Sequence, residues 1–395
     1  MNAGNVKGVA RVLVALMASG TAGCASSPNQ TEDRLQRALT TAVEKQDNGT
    51  RNAVLRVDAP ALGIDGAWAA GVADHAGAPF LVDTPFLSAS VGKLFTAAAV
   101  LVLADEGALK LEDPVTRFVP WALLAGLPVT GGDDALRAVT IRQLLTHRSG
   151  LPDYFSNSKS QDGAPKVLDL LVAEPQRAWT TKDLLDYTRE HFAAAGAPGE
   201  HFLYADTNYD LLGLVLEGVT GQPFHTVVES RIIAPLGLTH TWYYNLTEIP
   251  ADTPAHADVW IGNVNVAHKP CLTADGAGGG LATTTGDLRL FFRALLAGRP
   301  VLLSAFAEDW TRDAMHGGID YGRGLWRIRP GGVFFLLGNL PELMGISGAT
   351  GSFVYYIAKH DAVIAGSFNQ TNWGEQHIQF LLSEVVPALE NTLQP

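Results

Sequence analysis

The hydrophobic pattern of this 395-residue chain changes period twice, and that change limits the folds open to it. Near the N-terminus, Val54 to Val57 and Ala67 to Val72 are short apolar runs parted by Pro60 and Gly63, which predicts two strands. From Ser90 onward apolar residues recur at helical spacing instead. Leu94, Phe95, Ala98, Val102 and Leu103 define a helix from Ser90 to Glu106, and Gly107 stands at its stop. Thr181 to Phe192, Asn208 to Val219 and Thr285 to Leu296 read the same way. From about residue 321 short apolar runs return, at 324–329, 332–337, 351–357 and 362–368. Lys359-His360-Asp361 reads as a hairpin connection between the last two. Flanking helices are predicted at 31–47, with Thr31 as N-cap, and at 374–391. Strands at both ends with helices between them predict one antiparallel sheet in which the chain ends pair. A mainly helical lobe, about 108–300, is inserted between them, so the fold class is α+β.

The first residues stand apart from this plan. Lys7 and Arg11 precede the apolar stretch Val12 to Met17, followed by small residues and Thr21-Ala22-Gly23-Cys24. That order describes an export signal over 1–23, too short to span a membrane. Its end resembles a bacterial lipobox, with Thr21 in place of the usual Leu. Acylation of Cys24 would make an exported, periplasmic lipoprotein, held to the membrane by that anchor alone; a plain secretory signal with Cys24 incidental is the alternative. Residues 24–50 then form a polar tether, Ser26 to Gln30, and the first helix. Residues 51–370 form the main domain, and 371–395 a helix packed on the sheet.

Charge and cysteine usage exclude several classes. With 28 Lys and Arg against 40 Asp and Glu, the formal charge of −12 argues against nucleic acid or a polybasic membrane patch. Cys24 and Cys271 are the two cysteines, so no disulfide framework supports the fold. There is no CxxC, HExxH or paired-His spacing, and neither metal nor cofactor is expected.

The chemistry-bearing candidate is Ser90-Val91-Gly92-Lys93. Positions i and i+3 share one side of a helical turn, so the serine hydroxyl and lysine amine can approach each other. A desolvated lysine can take the serine proton, and the helix N-terminus favours developing negative charge. Ser156-Asn157-Ser158-Lys159 fits the same pattern, but inside a polar loop with no helix after it. Ser90 instead opens a long apolar helix that carries Lys93 inward. Alone, this could be a helix cap with a snorkelling lysine.

Phe86-Leu-Ser-Ala-Ser-Val-Gly-Lys-Leu-Phe-Thr-Ala resembles the nucleophile helix of the family of class C β-lactamases, serine D-Ala-D-Ala carboxypeptidases and related esterases. Five further segments match it in order, starting at Gly107, Thr140, Pro198, Pro235 and Gly278; the likeness covers about residues 50–370. It implies a β-lactamase/transpeptidase-like fold and a serine hydrolase that forms an acyl-enzyme on Ser90. It assigns Tyr204 as proton carrier among Ser90, Lys93 and the leaving group. It makes the backbone N–H groups of Ser90 and Ala349 the oxyanion hole. His147, inside the most recognisable segment, reads as structural.

Two positions depart from the family pattern. Asp206 replaces the Asn of its Tyr-x-Asn motif. Its third motif, His or Lys followed by a hydroxyl residue and Gly, is here Ile346-Ser347-Gly348. Ser347 and Gly348 stay as substrate-binding candidates, while His316-Gly317-Gly318 lies outside the motif's place. An acid beside Lys93 favours the ammonium, and the loss of the cation at 346 disfavours substrates bearing a carboxylate. The expected substrate is therefore a small-molecule or peptide ester or amide. D-Ala-D-Ala carboxypeptidase or β-lactamase activity, or a catalytically weak relative that binds peptidoglycan or a partner, are the alternatives.

Overall fold

The computed structural model of the protein describes residues 26–45, 49–373 and 376–392. The export signal and Cys24 lie outside them. Thirteen strands, β1 Asn52–Ala59, β2 Ile64–Gly71, β3 Phe86–Leu87, β4 Trp242–Tyr243, β5 Trp260–Ile261, β6 Val264–Asn265, β7 Leu281–Thr283, β8 Thr311–His316, β9 Ile319–Tyr321, β10 Trp326–Ile328, β11 Leu343–Ser347, β12 Phe353–Ile357 and β13 Ala362–Ser367, form three sheets. The largest has the order β2-β1-β13-β12-β11-β10-β9-β8, and all its pairs are antiparallel. The chain ends pair as expected, with Val54 opposite Ser367 and Asp58 opposite Val363. A small sheet, β3-β7-β4, sits beside the nucleophile segment.

Alternation along the strands separates two faces of the large sheet. Asp58 accepts from Arg293 and Tyr356 donates to Asp361, so this face meets helix Thr285–Leu296 and the inserted lobe. Ser347, Phe353 and Tyr355 point the other way, toward the C-terminal helix segments Gln376–Phe380, Leu381–Val385 and Val386–Glu390. Helix Pro28–Glu44 packs against β1, β2 and that C-terminal run. Ile346, one residue from Ser347, belongs to the lobe face.

Several boundaries differ from expectation. The first helix begins at Pro28, capped by Ser27 in a reciprocal box with Gln30; Thr31 lies inside it and bonds Thr392. Most of the expected tether is thus helix, while residues 46–48 lie outside the described residues. Residues 332–337 are not a strand. Pro330–Val333 is a short helical turn, and a Cβ on Gly332 would lie 2.6 Å from the Gly318 Cα, so the chain bends away there and leaves Phe335 75% exposed. The sheet position is taken by β11, hidden from a hydrophobicity scan by Gly345. That glycine is required, because a Cβ there would sit 1.9 Å from the Val354 carbonyl oxygen. Strands β8 and β9 were also unforeseen: β8 is a half-exposed, polar edge with little apolar signal.

Candidate active site

β3 leads the chain into a tight turn. Ala89 takes a left-handed conformation (φ 45°), unusual for a residue with a Cβ, and residues Ala89–Gly92 form a 3-10 turn before helix Lys93–Asp105 begins. The predicted helix from Ser90 therefore opens with a tighter turn that presents Ser90, half-buried, at its outer side. Beneath it lies the turn Gly276–Gly279. A Cβ on Gly92 would meet the Gly279 Cα at 2.8 Å, and one on Gly279 would meet the Ala89 carbonyl at 2.5 Å, so only glycine lets the two backbones touch.

Lys93 is fully buried. Its Nζ donates to Ser90 Oγ at 3.2 Å, to the Gly278 carbonyl at 2.7 Å and to the Asp206 carboxylate. Burial alone would lower its pKa, but Asp206, Tyr204 and Asp275 outweigh that and raise it. The lysine is thus held as an ammonium. An unshielded SxxK lysine would instead have been a neutral base, so the acid at 206 decides the charge state.

Tyr204 precedes helix Asp206–Thr220 on a segment tied down residue by residue. Leu203 N–H donates to the His147 carbonyl (3.0 Å), Ala205 N–H to His147 Nδ1 (3.2 Å), and Asn157 Nδ2 to the Tyr204 carbonyl (3.0 Å). Asp206 N–H donates to Asp153 Oδ1 at 3.0 Å. The Lys93 ammonium stands 5.1 Å from the Tyr204 ring centre. The Tyr204 hydroxyl is buried and makes no hydrogen bond of good geometry among the described residues, yet it lies close enough to Ser90 and Lys93 for both to pull its pKa down. Burial pushes its pKa up to about 12, against the opposing pull of Lys93, so the resting group is a phenol.

His147 supports this arrangement. Its ring lies 4.4 Å from that of Tyr204, and burial next to Lys93 holds its pKa well below the usual range. A neutral imidazole whose Nδ1 accepts from Ala205 carries its proton on Nε2. It positions Tyr204 without reaching Ser90.

Three further buried acids surround the Lys93–Asp206 pair: Asp153 falls inside the matched stretch that starts at Thr140 but was given no role there, while Asp210 and Asp275 were singled out by no motif. Asp275 precedes the glycine turn, and burial pushes its pKa up to about 7 despite Lys93. Asp153 caps the loop that holds Asn157, and Asp210 accepts from Tyr154 at 2.7 Å; burial raises both. The periodic lobe helices gave the only indirect signal, since Asp210 falls on their buried side.

The third-motif segment reaches the site by close backbone contact. A Cβ on Gly348 would lie 2.5 Å from the Ser88 carbonyl oxygen and 3.1 Å from the Ala89 Cβ. This puts the exposed Ala349 beside the turn that carries Ser90. Neither the Ser90 nor the Ala349 N–H donates to a protein acceptor among the described residues, which leaves both donors available. Ser347 does not face this space: its hydroxyl is buried and bonded to Tyr355 (2.7 Å) and His377 (2.5 Å) behind the sheet. Ile346 is fully buried on the lobe face. His316 lies on β8, three strands from β11, and Lys159 is exposed, so neither joins the site; of the look-alike SxxK segment it is Asn157 that reaches it, through the Tyr204 carbonyl. Among the described residues no cluster of three or more His, Cys, Asp or Glu is arranged to hold a metal ion.

Comparison with known proteins agrees with this fold. The protein-family model described as Beta-lactamase matches residues 59–381. The structure is similar to a D-stereospecific amidohydrolase from Streptomyces sp., with 27% identity, TM-score 0.71, and coverage of 89% of this chain and 98% of that one. EstCE1, a hydrolase with promiscuous acyltransferase activity, shares the fold at 20% identity and TM-score 0.73, covering 91% and 98%. Among curated sequences, Protein Rv1367c of Mycobacterium tuberculosis is 32% identical over 237 residues, 56% of each chain. Penicillin-binding protein 4* of Bacillus subtilis is 31% identical over 173 residues, 42% of this chain and 32% of that one. The chain thus spans about half or less of the length of these curated relatives.

Proposed function

This chain belongs to the beta-lactamase family, and from that premise we propose that it is a serine hydrolase cleaving an ester or amide through an acyl-enzyme on Ser90. The observation that carries the reading is the Lys93 ammonium, bonded at once to Ser90 and Asp206, with the buried Tyr204 hydroxyl close enough to Ser90 and Lys93 for both to lower its pKa. Tyr204, deprotonated next to that ammonium, takes the Ser90 proton as Oγ attacks the carbonyl carbon. The negative charge that develops on the carbonyl oxygen is received by the N–H groups of Ser90 and Ala349. Tyr204 then returns the proton to the departing alkoxide or amine, and water repeats the sequence in reverse to release the acid.

The substrate class follows from position 346. An isoleucine on the lobe face supplies no charge for a substrate carboxylate, and Asp206 and Asp275 add negative potential nearby. Neutral acyl groups fit this field better than C-terminal carboxylates. The reading predicts that kcat/KM on simple esters or amino-acid amides exceeds that on D-Ala-D-Ala peptides and penicillins, with all activity lost in Ser90→Ala. Faster turnover of a penicillin or a D-Ala-D-Ala peptide would contradict it. The same proposal includes export and acylation at Cys24, on the strength of the N-terminal pattern.

A further inference from the structure

Position 346 lacks the polar group expected beside the nucleophile, yet an imidazole reaches this segment from another element. His377, on the C-terminal helix segment Gln376–Phe380, is completely buried, with Nε2 2.5 Å from Ser347 Oγ. Its ring lies parallel to that of Phe353, with an interplanar angle of 9°. An apolar ring would pack on Phe353 without the cost of burying a polar one. The hydrogen bond to Ser347 is the return on that cost.

Ser347 opens the turn that carries Ala349. On its other side this turn is fastened to the nucleophile strand: Thr350 Oγ1 donates to the Leu87 carbonyl at 3.0 Å and Ser352 Oγ to the Ser88 carbonyl at 2.5 Å. Gly348 N–H closes the turn on the Ser352 carbonyl at 2.8 Å. Tyr355 completes the chain behind the sheet: burial raises its pKa, it stays a phenol, and it lies 2.7 Å from Ser347 Oγ. Tyr355 and His377 thus both stand within hydrogen-bond reach of Ser347 Oγ, which can donate to one of them and accept from the other.

We infer that His377 is a positioning residue for the oxyanion-binding turn, acting through Ser347 from behind the sheet to fix where the Ala349 N–H points. The inference rests on the proposed role of Ser90 and Ala349. A donor displaced by a fraction of an ångström stabilises the transition state less while leaving substrate binding almost unchanged.

The test uses p-nitrophenyl butyrate with the wild type, S90A, H377F, H377Q, S347A and the H377F/S347A double variant. Phe keeps the ring on Phe353 and removes the hydrogen bond; Gln restores a partner for Ser347. H377F should lower kcat about tenfold, less than the loss of a whole oxyanion donor, with KM within about twofold. H377Q should recover most of the rate, S347A should match H377F, and the double variant should be no worse than either, because the two act as one unit. A kcat for H377F within about twofold of wild type, or losses that multiply in the double variant, would overturn the inference. Should H377F fail to fold, an undiminished kcat in S347A overturns it equally. Loss of turnover in S90A is established first: its absence sinks the hydrolase reading itself, whereas S90A-sensitive turnover that ignores positions 347 and 377 sinks only the positioning role.

Discussion

Lys93 shows how one neighbouring residue can decide a catalytic role. It is fully buried, and without a counter-charge burial would leave it neutral and basic; the Asp206 carboxylate reverses that. In the proposed mechanism proton transfer then falls to Tyr204, whose pKa, pushed up to about 12, leaves little phenolate at neutral pH. With the deprotonated phenol as the proposed base, kcat/KM should rise with pH across the mildly alkaline range. Asp206→Asn removes the largest influence raising the Lys93 pKa and one of those raising that of Tyr204. Burial then leaves Lys93 the neutral, basic group, so the base role passes from Tyr204 to Lys93 and the alkaline limb of the pH–rate profile should move toward acid. An unchanged limb would remove Asp206 from this account. Ser90, Lys93, Tyr204 and the departure at Asp206 were readable because each lies in a short motif. The roles of Asp153, Asn157 and Asp275 were not: they reach Asp206, Tyr204 and Lys93 respectively across 47 or more positions of the chain, and Asn157 sits inside a look-alike SxxK motif. No local pattern encodes such contacts.

The turn after β11 is where the elements meet. It joins the large sheet to the nucleophile strand through contacts so close that Gly348 has no room for a side chain. A Cβ there would lie 2.3 Å from Ser352 Oγ and 2.5 Å from the Ser88 carbonyl oxygen. Gly348→Ala should therefore push Ala349 off the nucleophile turn, cutting kcat/KM about a hundredfold and lowering Tm measurably in a thermal melt. A variant with wild-type activity would mean that the turn does not shape the site. Strands β1, β2, β12 and β13 were legible because their apolar residues run between clear turn signals. β11 was not, since Gly345, the residue that lets it pass under Tyr355, also depresses its strand character. The continuous apolar run 332–337 looked like a better strand but carries no alternation, and it bends outward after two glycines.

At the scale of the whole molecule, the sheet is closed by the pairing of β1 with β13, so chain ends far apart in sequence form one core. The lobe helices and the glycine turn then converge on Ser90 from one face, and the C-terminal helix supports the same strands from the other. The N-terminal side is also drawn in: Ser26 N–H donates to the Asn391 carbonyl at 2.8 Å and Thr31 bonds Thr392. Ser26, two residues after Cys24, is thus already fastened to the C-terminal segment. If Cys24 is acylated as proposed, cells fed an alkyne fatty acid should label the wild type and not Cys24→Ala, and only the wild type should sediment with membranes. Equal labelling of both forms would contradict it. The account as a whole depends on Ser90 being a nucleophile, and mass spectrometry of the intact protein after treatment with a fluorophosphonate tests that most directly. One phosphonyl adduct per chain, mapped to Ser90, absent in Ser90→Ala and slower to form in Tyr204→Phe, is the predicted result. A protein that gains no adduct, or gains it equally without Ser90, would contradict the account.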